Sequence, residues 1–286
     1  MTLLTRIGLS LLIGVLLVAA GPVKKTAVLV GQIRDAEVTE ASGLAGSLKK
    51  PGVFWTHNDS GNLARLYAMD ASGEAMGRVD LDVFNIDWED IAIAGDGTMF
   101  IADTGNNSRN RKIVTVYALP EPDLPEQGES RPPMLTPAQA YRLRFPGKAQ
   151  DFEAVFATAS HVYLLSKQWG GGTSMYRFAR ADETVARGTA VIERTLEKVC
   201  DLKVAAAVTA ASLSASGKRL AIQTVLGPAV YDMPEDPADL AKLTPTVLVY
   251  PDGTAEACAW EADEKSLLLA TERRKVLRFT ADTMTK

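Results

Sequence analysis

The chain has 286 residues, with 31 Lys and Arg against 35 Asp and Glu, a formal charge of −4. That balance, with no basic cluster interleaved with aromatics, excludes a nucleic-acid surface. The length suits one all-β domain with a large core.

At the N-terminus, Arg6 precedes the apolar run Ile7 to Ala20. That run is short for a membrane span of about 20 residues. Val18 and Ala20 are small enough for the −3 and −1 positions of a cleavage site before Gly21. The expectation is a signal peptide over residues 1–20 and a periplasmic or secreted domain over 21–286, with no stable membrane insertion after cleavage. An uncleaved anchor is the alternative.

The stretch Asp87-Trp88-Glu89-Asp90-Ile91-Ala92-Ile93, the turn Gly95-Asp96-Gly97 and Met99 to Asn107 read as a β-hairpin. Used as a template, this hairpin recurs. First strands begin at Ser42, Glu89, Glu153, Ala210 and Glu256, and second strands at Val53, Met99, Val162, Leu220 and Leu267. The spacing is the same from Glu89 to Asp103, Glu153 to Lys167 and Ala210 to Thr224, with the fourth unit's register open by one residue. Third strands hold Leu66-Tyr67, Val116-Tyr117, Met175-Tyr176, Val230-Tyr231 and Val276-Leu277. Fourth strands are expected at Ala75–Leu81, Ala140–Phe145, Thr189–Thr195 and Thr246–Tyr250. The last unit lacks one, and Thr26–Ile33 is a strand without a partner. The reading is a five-bladed β-propeller closed by that N-terminal strand, which leaves only short, protected edges. Six blades are the alternative, and a monomer is expected.

Two segments do not repeat. Pro120–Pro137 is expected as an extended loop of the second blade, and Pro234–Leu243 holds a short helix in the fourth. Both should lie on the face opposite the acids described next.

In a propeller the first strands line the central channel, so the acids that start them converge. These are Glu89, Glu153 and Glu256, with Asp87 and Asp151 two residues before the first two. Second strands end near Asp59, Asp103 and Glu272. Like charges gathered this way need a cation or raised pKa values. The oxygen-only set Glu89, Glu153, Glu256, Asp59, Asp103 and Glu272 suits a hard divalent cation, calcium first. The alternative is that each acid pairs with Lys167 or Arg109, or with backbone N–H groups.

Lys167, Ala210 and Thr224 break the acidic pattern and leave an open sector for a ligand. Candidate ligand contacts are His57, Asn58, Asn106, Lys167 and Arg109. His57 reads either as a loop hydrogen-bonding residue or as an acid/base. No Gly-x-Ser-x-Gly elbow is present, and Gly170-Gly171-Gly172 is followed by no Lys-Ser/Thr of a phosphate loop. Cys200 and Cys258 form either one disulfide or two buried thiols.

Ala102-Asp103-Thr104-Gly105-Asn106-Asn107 resembles the signature of NHL-type propeller repeats. Ser42-Gly43-Leu44, Asn58-Asp59-Ser60-Gly61, Asp87 to Ile91 and Asp151-Phe152-Glu153-Ala154 resemble secreted bacterial propellers. These are distantly similar to the senescence-marker/gluconolactonase and phytase-like propellers. The resemblance spans Glu40 to Phe279 and implies a divalent cation held by Glu89, Glu153, Asp103 and Glu256, with Asn58 or Asn106 as carbonyl ligands. Three functions follow as expectations: a propeller binding a cation and a small ligand or peptide at its mouth, a metal-dependent hydrolase of a lactone or phosphoester, or a metal-free interaction scaffold.

Overall fold

The computed structural model describes residues 27–125, 131–182, 188–250 and 255–280. In chain order, β1 (Val28–Gln32) precedes the first blade, β2 (Gly43–Gly46), β3 (Val53–His57), β4 (Arg65–Asp70) and β5 (Ala75–Leu81). The second blade has β6 (Trp88–Ile93), β7 (Thr98–Asp103) and β8 (Ile113–Pro120). The short β9 (Met134–Leu135) follows, then the second blade's β10 (Gln139–Arg144). The third has β11 (Phe152–Ala157), β12 (His161–Ser166), β13 (Thr173–Ala179) and, after β14 (Ala190–Thr195), β15 (Glu197–Leu202). The fourth is β16 (Val208–Leu213), β17 (Arg219–Thr224), β18 (Ala229–Asp232) and β19 (Thr246–Val247). The fifth is β20 (Ala255–Trp260), β21 (Leu267–Thr271) and β22 (Lys275–Phe279). These five small sheets make a five-bladed β-propeller.

Blades are sandwiched between neighbours, so their inner strands are apolar on both faces. Met99 to Ala102 and Leu267 to Ala270 are wholly buried. The core is accordingly five clusters, one at each blade interface. Between blades five and one, for example, Leu44, Phe54 and Tyr67 meet Leu268 and Val276.

The ring closes as the missing fourth strand predicts. β1 lies antiparallel on β22, with Leu29 opposite Leu277 and Gln32 opposite Lys275. Ile33 N–H donates to Arg274 O at 2.8 Å, and Arg274 returns bonds to the carbonyls of Ile33 and Asp35. β1 also touches blade one: a Cβ at Gly31 would come within 1.9 Å of Ser72 O, so that position admits only glycine.

The outer strands depart from the expected pattern. Thr189–Thr195 is not the fourth strand of blade three. β14 instead runs parallel to β10 as a fifth strand of blade two, and β15 fills the blade-three position. Tyr141 Oη accepts from Ala181 N–H, and Gln139 Nε2 donates to Ala181 O, fastening the crossing to blade two. Ile192 then enters the interface between blades two and three. β15 alternates weakly, with Glu197, Lys198 and Asp201 exposed, so its strand signal was faint. β9 likewise adds to blade one, parallel to β5, out of the Pro120–Pro137 insertion. A 3-10 helix, Pro237–Lys242, is capped by Asp236 and occupies the fourth-blade insertion.

Cys200 and Cys258 are free and sit in different blades, so no disulfide joins them. Among the described residues no helix is long and apolar enough to cross a membrane. The segment expected to be a signal peptide lies outside them.

Asp90 sits at the centre of the ring. Its Oδ2 accepts the N–H groups of Val155 and Ala211, both at 2.9 Å, and Oδ1 accepts that of Ile91. One carboxylate thus joins the inner strands of blades two, three and four. Burial pushes its pKa well up, and these N–H donors pull against that shift by favouring the charged form. On one side lies a cavity of about 210 Å³ walled by Leu44, Ile91, Ala211 and Trp260, with Ser47, Ser212 and Glu261 among the rest. The acidic mouth lies on the other.

Candidate functional site: an acidic mouth built on four bulges

Four of the five inner strands slip register at the same place. The ladder passes from Trp88 to Asp90, Phe152 to Ala154, Val208 to Ala210 and Ala255 to Ala257. The residues left out are Glu89, Glu153, Thr209 and Glu256. An extra residue in one strand bends it and re-aims a side chain. Here it turns each of those side chains into the mouth. The fourth unit's register is thereby settled: Thr209, not Ala210, is the counterpart of Glu89.

The mouth is a cavity of about 200 Å³ lined by Asp59, Glu89, Glu153, Lys167, Thr209, Glu256 and Glu272, with Glu40, Ser42 and Asn107 also contributing. Asp59, Asp87 and Glu89 bring carboxylate oxygens within 4.8 Å of one another, as do Glu89, Asp151 and Glu153. Glu89 belongs to both groups. It lies against Gly105, where a Cβ would meet Glu89 Oε1 at 2.0 Å and Asp87 Oδ2 at 2.4 Å. The loop glycine of Asp103-Thr104-Gly105-Asn106 therefore makes room for two acids.

Among the described residues Lys167 is the one cation lining this cavity, and its Nζ stands 2.9 Å from Glu153 Oε2. Glu153 Oε1 is buried and meets no donor among the described residues. Burial, then the charges of Glu153, Asp59, Asp87 and Asp151, push Glu89 well above the usual carboxylate range. Glu153 is raised to about 7 by burial, against the pull of Lys167. Glu256 is raised to about 7 by burial and by the Glu272 charge beside it. Burial works against the charge of Lys167, but Glu153, Glu89 and Glu256 together hold its pKa above the ordinary value.

Other candidates lie elsewhere. Asp103 pairs with Trp88 across the ladder, the register position of Ser166, Thr224 and Thr271. Lys167 and Glu272 are one residue further on. A one-residue offset sends the side chain to the other side. Asp103 is fully buried, accepts from the N–H of Asp87 and pairs with Arg111 at 2.8 Å. Burial raises its pKa against the Arg111 charge. Arg111, not Arg109, is thus its partner, while Arg109 is exposed in a turn with φ 55°.

Asn58 and Asn106 spend their side chains on loops. Asn58 Oδ1 accepts from Thr39 and Glu40, and its Nδ2 donates to Glu37 O. Asn106 Nδ2 donates to Arg111 O and Gln150 O. His57 is wholly buried, edge-on to Trp88, with Nδ1 3.0 Å from Asn58 O. Burial lowers its pKa to about 4, so it is neutral at physiological pH and out of reach of a substrate in the mouth. Sequence reasoning missed Thr209 and the hub Asp90. The first was within the one-residue ambiguity, and the second carried no signal beyond its place in the strand.

Chemically, the mouth offers carboxylate oxygens and one ammonium. Two oxygens on one calcium ion, each at about 2.4 Å, stand at most about 4.8 Å apart, and the oxygens of each acid triad lie within that limit. The orphaned oxygen of Glu153 fits the same role. No protein-family model matches the chain, and no curated protein matches it either.

Proposed function

We propose that this chain is a secreted or periplasmic propeller whose acidic mouth binds a divalent cation, calcium first, together with a small ligand or peptide. Glu153 carries the reading. Its Oε1 is buried without a donor among the described residues, and its carboxylate stands within one cation's span of those of Glu89 and Asp151. A buried, unpaired carboxylate oxygen is costly, and a cation removes that cost and offsets the burial, with the like charges nearby, that raises Glu89, Glu153 and Glu256. The NHL-like and gluconolactonase-like resemblance of the loops supports the same chemistry. Secretion rests on Arg6, the apolar run and the small residues Val18 and Ala20.

The test is calorimetry of chelator-treated protein with Ca²⁺, Mg²⁺ and Mn²⁺, alongside melting curves. Binding should raise stability by about 2.7 kcal/mol at roughly a hundredfold excess over Kd. Glu153→Gln should weaken it at least tenfold. No heat and no melting shift with any of the three ions would remove the proposal.

A further inference from the structure

The face that holds the mouth's acids also carries large apolar side chains that no described residue covers. The three most exposed large apolar residues described are Phe84 at 82%, Trp169 at 78% and Leu63 at 63%. All three sit on the mouth's face, with Ile86 and Leu226, each 57% exposed. Topology places them there. Leu63 lies in the loop after β3, Trp169 after β12 and Leu226 after β17, while Phe84 and Ile86 lie between β5 and β6. Those connections leave second and fourth strands, the ends that carry Asp59, Lys167 and Glu89.

Two of these residues are anchored beside the acids. The Trp169 ring centroid is 5.1 Å from Lys167 Nζ, which pairs with Glu153. Asn85, next to Phe84, donates to the carbonyls of Asn58 and Asp59 and accepts from Trp88 N–H, which fixes that loop at the rim. An acidic recess inside an apolar collar selects its occupant by charge and by shape. Exposed apolar patches around a polar centre mark interaction sites, and aromatic anchors carry most of their energy.

We propose that the mouth face docks a segment of another polypeptide that projects one Lys or Arg into the recess and lays apolar neighbours on Trp169, Phe84 and Leu63. The buried, unpartnered Glu153 Oε1 is the acceptor for the incoming ammonium or guanidinium, and Lys167 already shows that an ammonium fits beside Glu153. Anionic lipid is repelled by the carboxylates of Asp59 and Glu272, so a membrane surface is the poorer occupant. The inference rests on the mouth as a binding site but not on its metal. A partner's cation and a divalent ion draw on the same carboxylates and compete for them.

The test is a peptide array probed with the full chain. The central residue is Lys, Arg, Gln or Glu, and the flanks are drawn from Leu, Phe, Val and Ser. Signal is expected on Lys and Arg centres with apolar flanks. It should fall about tenfold in Glu153→Gln and in the surface variant Trp169→Ser/Phe84→Ser, whose unchanged melting curve shows that it folds. Strongest signal on Gln or Glu centres, indifference to the flanks, retention by the surface variant, or no signal above background overturns the docking. Binding of phosphatidylglycerol vesicles in place of the array overturns it too. Calcium calorimetry without peptide reports the metal reading separately. A chain that binds basic peptides and shows no calcium heat keeps this inference and loses that one; calcium heat without peptide signal does the reverse.

Discussion

Replacing Glu153 by glutamine in chelator-treated protein should stabilise the fold at pH 8 and leave it nearly unchanged at pH 4. The Glu153 pKa rises from 4.5 to about 7 on folding. A raised carboxyl is more readily protonated in the folded chain. Its contribution is therefore fully present below pH 4.5 and lost as pH climbs through about 7. The interval corresponds to about 3 kcal/mol of instability at pH 8. Glutamine keeps the size, stays neutral at every pH and avoids that loss. Part of the gain is offset because Lys167 loses its direct partner, but Glu89 and Glu256 still act on it. The net expectation is about 1–3 kcal/mol, or roughly 2–10 °C in melting temperature for a domain of this size. Circular dichroism melts in EDTA at both pH values measure it. A variant less stable than wild type at pH 8, or an advantage independent of pH, would refute the argument. With saturating calcium the order should reverse, because only wild type keeps the full ligand set.

Lys167→Met should tighten calcium binding by removing a competing positive charge, which titration calorimetry reads directly; unchanged or weaker affinity counts against that role. Gly105→Ala should displace Glu89 and Asp87, lowering calcium affinity about tenfold while the melting temperature moves little, since the atoms it meets are side-chain ends. Asp90→Ala strands three buried N–H groups and should cost at least about 3 kcal/mol in denaturant melts; a loss under 1 kcal/mol would show that the hub is dispensable. Deleting residues through Ile33 should unseat blade five and lower the melting temperature of the whole protein, because β22 then becomes an open edge; an unchanged melt would sink the closure argument.

Blade number, inner strands and ring closure were legible in the sequence because they rest on period-two patterning repeated five times. The outer strands were less so. Thr189–Thr195 alternates convincingly, but alternation does not say which edge a strand joins, and Tyr141 and Gln139 decide that by holding Ala181 beside blade two. At the mouth, Glu89, Glu153 and Glu256 were legible as equivalent acids. Asp103 was not distinguishable from Lys167 and Glu272, because the bulge adds a residue that spacing alone cannot locate. Arg111 as the partner of Asp103 depends on the loop's path, which is fixed where Asn106 Oδ1 accepts from Arg111 N–H and the Arg111 guanidinium donates to Gly105 O.

The bulge also explains how one dipeptide serves two ends. Glu89 is passed over by the ladder, so its side chain is free to face the mouth without disturbing a strand pair. Asp90, the next residue, faces the other way and ties three inner strands together at the ring's centre. In blades three, four and five the residue after the bulge is Ala154, Ala210 or Ala257, small enough to leave the centre to Asp90. The acids at the bulges can therefore change without unmaking the sheet, as Thr209 does in blade four. A change at Asp90 reaches every blade it bonds. One carboxylate ties the channel together and several line its mouth, and a single extra residue per strand separates the two tasks.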